Sequence, residues 1–570
     1  MKKEILVIFK THLDIGFTDY SETVLRQYLE QFIPNAIRVG YELKDTKTPF
    51  VWTVGSWLIW QALKNDKDKS VEKAIKDGIL RWHALPFTTH TELMNPTLFT
   101  YGVELSQKLD KRFGFTTMGA KMTDVPGHTI GMVPILKKYG VNFLHIGVNP
   151  ATPLPPVPSI FKWKYNDDEL VVMYEKDYGQ VAEFDDFIVY FAHTGDNLGP
   201  QSAQDIIRTY EQIQAQYPDC IMKAGTIEDL AERIVTLKDL PIIDKEIGDT
   251  WIHGAGTDPQ KISRYRTLLR RIEAMDEIAV DLTDNLLCVP EHTWGMDVKT
   301  HFPFDKYYTH QEMETLKSER AKIELSWQEQ RNYVAKAEKL LGVEENYFVQ
   351  APNLSEYEKI DVPKEVEFEI SWQLFDNSDY ERYKKDYMRS HVNWAIWDFT
   401  KKGLEEYQGG IYTASITEAY EKNDEKLYKL AFEKTLVEKY GLPYFYLSVK
   451  HGCVELKWFE KKPSRLPQAF WLKFKGFDEK WQLQKMGTWI RPEDIIGSPL
   501  ICAIDKSVKS ASVEIESLDC ALVAPFGRKL LQYNVKDCKQ DLYFNLYNNI
   551  WNTNFPMWYS DDAKFRFLLK

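Results

Sequence analysis

Short apolar runs alternate with longer amphipathic stretches through residues 1–250, and this alternation constrains the fold more than any other feature of the chain. Runs of about four to eight apolar residues bounded by turn residues are typical of buried strands. We predict strands at 5–9, 50–53, 79–84, 117–123, 143–147, 169–174, 187–192 and 221–224. Amphipathic stretches between them predict helices at 21–42, 100–113 and 202–216. This alternation is typical of an α/β fold with a parallel sheet, and about seven strands favour a (β/α)7-type barrel.

The rest of the chain changes its pattern twice, which predicts two further domains. Long polar-faced helical patterns over 261–285 and 311–341 predict a helical bundle. The last part of the chain carries short alternating runs with turns about every 8–12 residues, a spacing typical of a β-sandwich. We therefore predict a barrel at 1–258, a helical bundle at 259–350 and a β-rich sandwich domain at 351–570.

The charge balance argues against a surface that binds nucleic acid. The chain has 72 Lys and Arg against 84 Asp and Glu, a formal net charge of −12. Its basic residues form no dense stripe of the kind that covers a phosphate backbone. This balance fits a neutral or cationic small substrate better than a nucleic acid.

The N-terminal apolar run and the cysteines bear on the compartment. The run at 5–9 ends at Lys10 and is shorter than the roughly 7–15 apolar residues of a signal peptide, so we predict a buried strand there. No stretch of about 18 apolar residues predicts a membrane span. The six cysteines form no C-x-x-C pair, which argues against a disulfide framework and a thiolate zinc site. We expect a cytoplasmic protein, and both a monomer and a homo-oligomer stay open.

The strongest local signal for chemistry is the sequence THLDIGF at 11–17, directly after the first predicted strand. Side chains two residues apart on an extended segment point to the same side, so His12 and Asp14 face one point. An imidazole nitrogen and a carboxylate oxygen together suit Zn²⁺ or a similar divalent ion. Barrel enzymes place their active sites at the carboxyl ends of the strands. We identify His12 and Asp14 as candidate metal ligands, with a plain His–Asp hydrogen bond as the alternative.

Three further polar motifs follow predicted strands or precede a long helix. They are TDVPGH at 123–128, GDNLGP at 195–200 and WIHGAGT at 251–257. Singly, Asp124 and Asp196 are also explained as strand-ending caps or turn residues. The glycines around His253 allow close approach of the backbone to a ligand, although a loop histidine would look the same. The conjunction of all four motifs predicts one shared site.

In this order the motifs H-x-D-x-G-aromatic, D-x-x-G-H, G-D-x-x-G-P and a glycine-flanked His resemble those of glycoside hydrolase family 38, the zinc-dependent α-mannosidases. The resemblance covers residues 1–290 well and the rest more loosely, and the chain looks like a shorter sister group. It implies that His12, Asp14, Asp124 and His253 bind Zn²⁺. It further implies that Asp124 is the nucleophile and Asp196 the general acid/base of a retaining hydrolase, whose two carboxyls lie about 5–5.5 Å apart.

Five side chains are candidate contacts for an oligosaccharide or glycoside substrate. Phe17 stands where the family usually has a tryptophan that stacks on the sugar. The others are His90, Glu92, His128 and Trp294. Plain alternatives exist here too: an exposed polar loop around His90 and Glu92, and domain packing around Trp294.

Two other functions stay open at this point. A metal-dependent polysaccharide deacetylase would carry an H-x-x-x-H pair, whereas His83 and His90, the histidines between the first motif and Asp124, are seven residues apart. A non-catalytic carbohydrate-binding protein would not need Asp124 and Asp196. A divalent ion other than zinc is also compatible with these ligands.

Overall fold

A computed structural model describes residues 3–303, 305–343, 349–477, 480–534 and 539–570. They divide into two compact units. Unit 1 comprises Met1–Thr91, Pro96–Lys245 and Pro290–Thr293, and unit 2 comprises Glu92–Asn95, Glu246–Val289 and Trp294–Lys570. The helices expected for a separate bundle fall in the same unit as the C-terminal sheets, so the division into three domains at 258 and 350 stays a prediction.

Unit 1 alternates strands and helices. Its strands are β1 (Glu4–His12), β2 (Trp52–Gly55), β3 (Leu80–His83), β4 (Gly119–Asp124), β5 (Phe143–Val148), β6 (Ile160–Tyr165), β7 (Asp168–Lys176), β8 (Ala182–Glu183), β9 (Phe187–Asp196), β10 (Ile221–Ala224) and β11 (Ile242–Ile243). Its helices are α1 (Ser21–Gln27), α2 (Ile33–Leu43), α3 (Ser56–Lys64), α4 (Ser70–Lys76), α5 (Pro96–Phe113), α6 (Met132–Lys138), α7 (Ala203–Gln216) and α8 (Ile227–Ile234). Each of the eight predicted strands overlaps an observed strand.

The strands of unit 1 form two sheets. One has the order β3-β2-β1-β9-β8 with β10 also paired to β1, and the other has the order β11-β6-β7-β5-β4. The (β/α)7-type barrel expected for residues 1–258 is therefore not confirmed. The reason lies in β6 and β8, which pair antiparallel with β7 and β9 and occupy the edges at which those two strands would close a barrel.

The first strand, β1, is buried on both faces, which explains its continuous apolar run. Ile5, Val7 and Phe9 pack in a core with the neighbouring helices. Leu6 and Ile8 point the other way and pack in a second core. That second core contains residues of both sheets, so the two sheets enclose it together. Since strand side chains alternate, Lys10 and His12 continue the row of Leu6 and Ile8 beyond this core.

Unit 2 contains eight helices and most of the antiparallel strands among the described residues. The helices are α9 (Pro259–Glu273), α10 (Val280–Leu287), α11 (Val298–His301), α12 (His310–Thr315), α13 (Lys317–Leu341), α14 (Asn377–Asp386), α15 (Asn393–Phe399) and α16 (Lys434–Tyr440). The strands up to β20 are β12 (Glu246–Gly248), β13 (Glu358–Ile360), β14 (Phe368–Leu374), β15 (Gly410–Thr413), β16 (Ser415–Lys422), β17 (Glu425–Ala431), β18 (Tyr444–Lys450), β19 (Cys453–Phe459) and β20 (Gln468–Phe474). The remaining strands are β21 (Gln482–Lys485), β22 (Thr488–Ile490), β23 (Ile495–Gly497), β24 (Cys502–Ala503), β25 (Ser507–Lys509), β26 (Glu514–Ser517), β27 (Leu522–Ala524), β28 (Tyr543–Asn548) and β29 (Ala563–Leu569).

Two large antiparallel sheets of unit 2 pack face to face. Ten strands form the order β13-β16-β17-β18-β19-β29-β26-β25-β21-β22, and six form the order β15-β14-β20-β28-β27-β24. Trp458 of β19 packs on Phe470 of β20, and Phe567 of β29 packs on Phe474, with ring centroids 5.4 Å apart in both pairs. Interdigitating aromatic side chains from two sheets are the core of a β-sandwich, as expected for this part of the chain.

Two smaller expectations can be compared with the described residues. Their five cysteines are free thiols, and Cys538 lies outside the described residues. No helix in the described part of the chain is long and apolar enough to cross a membrane.

Candidate metal and catalytic site

The end of β1 is held by the side chain of Asn197. The Asp14 backbone N–H donates to Asn197 Oδ1 at 3.0 Å, and Asn197 Nδ2 donates to the carbonyls of Asp14 and Gly16 at 3.1 and 3.0 Å. Asn197 itself has a φ of +53° and Phe17 a φ of +63°, conformations that are uncommon outside glycine. The His12 and Asp14 side chains are thereby buried, at 2% and 5% exposure, on the same side of the chain.

Asp124 is the last residue of β4 and has a φ of +79°. Strained non-glycine residues of this kind cluster at functional sites. Its Oδ1 accepts hydrogen bonds from Tyr178 Oη at 2.7 Å and from Asn149 Nδ2 at 2.9 Å. Its Oδ2 lies 3.8 Å from His292 Nε2. The unusual backbone and the two donors orient the carboxylate toward a histidine that the sequence motifs did not nominate.

His292 is the missed member of the site. Its Nε2 lies 3.0 Å from His12 Nε2 and 2.9 Å from Asp14 Oδ1. Its Nδ1 lies 2.6 Å from Glu291 Oε1. The loop that carries it is attached to the segment before α5, because the His90 N–H donates to the Pro290 carbonyl at 2.8 Å. The signal in the sequence is the polar segment at 290–297, from which only Trp294 is predicted to contact substrate.

Two overlapping groups of ligand atoms converge here. The ligand atoms of His12, Asp124 and His292 lie within 4.8 Å of one another, as do those of His12, Asp14 and Asp196. Asp14 Oδ2 is buried and has no hydrogen-bond partner among the described residues.

This donor set fits a divalent cation. Two imidazole nitrogens that face each other at 3.0 Å beside carboxylate oxygens are the ligands that Zn²⁺ and similar ions prefer. A second-sphere carboxylate on the remaining nitrogen, as Glu291 provides for His292, is the usual support of a metal-bound histidine.

The charged groups of the site shift one another's pKa. Burial alone would lower the pKa of His292, but Glu291 and Asp14 raise it well above its usual value. Burial would raise the pKa of Asp14, but the neighbouring His12 and His292 lower it. Burial, and secondly Asp14, raise the pKa of Asp196 to about 6. The site thus holds one carboxyl group that is readily protonated beside one that stays ionised.

Asp196 is brought to His12 by strand pairing. It is the last residue of β9 and stands opposite His12 in the parallel register of β1 and β9. An irregularity between Lys10 and His12 shifts the register by one residue. Bulges of this kind re-aim side chains next to active sites.

His253, expected as a metal ligand, belongs to unit 2. Its ring packs against Trp551 at 4.8 Å, and its two ring nitrogens are buried without hydrogen-bond partners among the described residues. The flanking glycine that suggested ligand access has another reason, because a Cβ on Gly254 would collide with the Phe555 ring. The groups of ligand atoms found among the described residues contain His292 and not His253.

Three expected substrate contacts have partners inside the protein. Glu92 forms an ion pair with Lys485 at 2.5 Å. Trp294 packs on Phe555 with ring centroids 5.5 Å apart. His128 is fully buried, with Nε2 lying 3.1 Å from the Val125 carbonyl oxygen, and burial lowers its pKa to about 4. All three positions are explained by packing or by internal polar contacts.

The other two expected contacts differ in exposure. Phe17 is half-buried and lies three residues after Asp14. His90 is 2% exposed, and its backbone anchors the loop of His292. The Phe17 side chain is therefore partly accessible, whereas the His90 side chain is not.

Comparison with known proteins supports the fold. The backbone is similar to an α-mannosidase from Enterococcus faecalis V583, with 10% identity, a TM-score of 0.59 and coverage of 100% of this chain and 87% of that one. It is also similar to a protein in glycosyl hydrolase family 38 from Enterococcus faecalis, with 9% identity, a TM-score of 0.55 and coverage of 100% and 86%. At such identities the likeness concerns the fold, which is a mixed α/β fold similar to that of family 38.

The sequence comparisons are sparser. A family model described as a domain of unknown function, DUF5054, matches residues 255–361. No curated protein sequence matches the chain significantly.

Proposed function

We propose that this chain is a metal-dependent retaining glycoside hydrolase of the α-mannosidase type. The observation that carries the proposal is the convergence of two imidazoles and three carboxylates within one buried site, in a fold similar to that of family 38. The proposed ligands are His12, Asp14, Asp124 and His292. Three of them are those implied by the sequence resemblance, and His292 replaces His253.

A bound Zn²⁺ would supply a template for neighbouring sugar hydroxyls and would stabilise negative charge. Asp124 is the proposed nucleophile that attacks the anomeric carbon. The hydrogen bonds from Tyr178 and Asn149 to its Oδ1 orient the carboxylate. Phe17 is the proposed platform for the sugar ring.

Asp196 is the proposed general acid/base. It would protonate the leaving oxygen and later take the proton of the attacking water. Its carboxylate and that of Asp124 each lie within 4.8 Å of a ring nitrogen of His12, so the two flank one point. The raised pKa of Asp196, about 6, supports the role, because a general acid must hold its proton near the working pH.

The test is turnover of aryl α-glycosides by zinc-loaded protein, with and without chelator. We expect Asp124→Asn to lower kcat at least about a thousandfold and Asp167→Asn, at an exposed position, to leave it unchanged. Asp196→Asn should lose much less on dinitrophenyl glycosides, whose leaving group needs little protonation, than on glycosides with poor leaving groups. Full activity of Asp124→Asn would exclude its role as nucleophile.

The same assay addresses the two alternatives. Metal-dependent release of acetate from acetylated sugars without cleavage of any glycoside would favour a deacetylase. Saturable binding of oligosaccharides without turnover by any preparation would favour a non-catalytic binding protein.

A further inference from the structure

A layer of basic side chains lies next to His12 in unit 1. It comprises Lys10 on β1, His83 at the end of β3, Lys121 on β4 and His145 on β5. Strand pairing places Lys121 directly opposite His145. Together with Thr53 on β2, the layer is contributed by five strands. Basic groups are costly to bury, so their concentration in one layer requires an explanation.

Three polar atoms of this layer lack a hydrogen-bond partner in the described part of the chain: Lys10 Nζ, Thr53 Oγ1 and His83 Nδ1. All three side chains are more than nine-tenths buried, at 3%, 4% and 8% exposure. They line one cavity of about 40 Å³, which is also lined by Lys121 and His12. Since one water molecule needs roughly 10–15 Å³, this cavity has room for about three waters or for one compact polyatomic group.

The basic side chains of this layer have few acceptors or carboxylates beside them. Lys121 Nζ contacts His145 Nδ1 and donates to the Tyr178 carbonyl at 3.0 Å. The Glu175 carboxylate contacts the other nitrogen of His145 at 2.9 Å. Burial, and secondly the charge of Lys10, lower the pKa of Lys121 well below its usual value, with only Glu175 opposing. An anion in the cavity would relieve this cost.

Lys10 contributes the amino group among these three unpartnered atoms. Its Nζ lies 5.8 Å from the centroid of the Tyr178 ring and has no hydrogen-bond acceptor among the described residues. The residues that line this small cavity offer an amino group, a hydroxyl and an imidazole nitrogen, which are donors that bind carboxylate or phosphate oxygens.

We infer that this cavity, which we call the Lys10 cavity, binds one compact oxyanion, a carboxylate or a phosphate, beside His12. The link to catalysis rests on the proposed function: if the His12 site cleaves a glycoside, the oxyanion is either a substituent of that sugar or a free anion bound next to it. The net charge of the chain, −12, favours a neutral or cationic substrate, and the Lys10 cavity reverses that expectation locally.

Binding is tested first without metal, so that an anion held by a cation is not counted. Chelator-treated full-length protein is titrated calorimetrically with inorganic phosphate and, separately, with acetate. We expect saturable binding that Lys10→Met weakens at least about tenfold, as loss of a charged hydrogen-bond donor predicts. Lys111→Met, at an exposed position on α5, is the matched control and should bind as the unaltered protein does.

Thr53→Val is the second variant, because it removes one hydroxyl from the cavity at nearly constant shape and keeps the test valid if Lys10→Met does not fold. It should weaken phosphate binding by a smaller factor. Absence of saturable binding of both anions to the unaltered protein would overturn the inference, and so would unchanged affinity in both variants.

Zinc-loaded protein then distinguishes the two sources of the anion. If the oxyanion belongs to the substrate, glycosides that carry a carboxylate or phosphate on the sugar are cleaved, phosphate inhibits them competitively, and Lys10→Met raises their KM alone. If it is a free anion, phosphate stimulates cleavage of neutral glycosides. Phosphate binding without turnover of any glycoside would sustain the cavity and refute the proposed hydrolase, so the two failures are separable.

Discussion

Replacing each of two histidines by alanine distinguishes the ligand set proposed from the structure from the one implied by the sequence. His292→Ala removes the nitrogen that lies 3.0 Å from His12 Nε2 and 2.9 Å from Asp14 Oδ1. His253→Ala removes a buried imidazole that packs on Trp551 in unit 2. Both substitutions take away one histidine from a buried position, so each is the matched control of the other.

The quantity to measure is the gain in unfolding free energy that zinc produces. A ligand present at about 1,000 times its Kd stabilises the folded state by about 4.1 kcal/mol. If loss of His292 weakens zinc binding by about 100-fold or more, the same zinc concentration stabilises the variant by at most about 1.4 kcal/mol. His292→Ala should therefore lose at least about 2.7 kcal/mol of the zinc effect. Glu291→Gln, which removes the carboxylate 2.6 Å from Nδ1, should weaken zinc binding about 10–100-fold.

Urea unfolding with and without zinc gives this difference directly. Any cost of cavity formation at either position cancels, because each variant is compared with itself. We expect His253→Ala to keep the full zinc effect. The reasoning is refuted if His253→Ala abolishes the zinc effect while His292→Ala retains it.

Two further predictions concern stability. Burial raises the pKa of Asp249 to about 7, above the value near 3.9 of an unfolded chain, so the folded protein loses stability as pH rises between these values. Asp249→Asn should remove this loss, so between pH 5 and pH 8 its free energy of unfolding should rise by ~3 kcal/mol relative to that of the unaltered protein, measured by urea unfolding. An unchanged pH profile of the variant would contradict this prediction. Lys485 contacts the buried carboxylates of Glu92 and Glu246, so Lys485→Met should cost about 3–5 kcal/mol, whereas exposed Lys506→Met should stay within about 0.5 kcal/mol; equal effects would refute this role.

Part of unit 1 was predictable because strands such as β1 and the first half of β9 are buried on both faces and so appear as uninterrupted apolar runs. The strands that were missed have another character. β8 (Ala182–Glu183) is two residues long, and β6 (Ile160–Tyr165) alternates buried and half-buried residues. These antiparallel strands separate the two sheets, so their omission led to the expectation of a single barrel.

The candidate site likewise has residues that the sequence predicts and contacts that it does not. His12, Asp14, Asp124 and Asp196 each end a strand of unit 1 or follow directly after it, and a motif at the end of a strand is visible in the sequence. Their mutual approach follows from the pairing of neighbouring strands, such as the register that sets His12 opposite Asp196.

The choice between His253 and His292 was beyond the sequence. By itself the sequence determined where strands end and which polar residues stand there. The spacing of apolar residues and the turn residues are local signals that extend over only a few positions. Only the tertiary structure shows that His292 lies beside His12 and Asp14. His292 is 280 residues from His12 and is brought there by an isolated bridge between Thr89 and Glu291. A contact of that kind leaves no periodic signal, since it depends on how two loops meet and not on the pattern of either one.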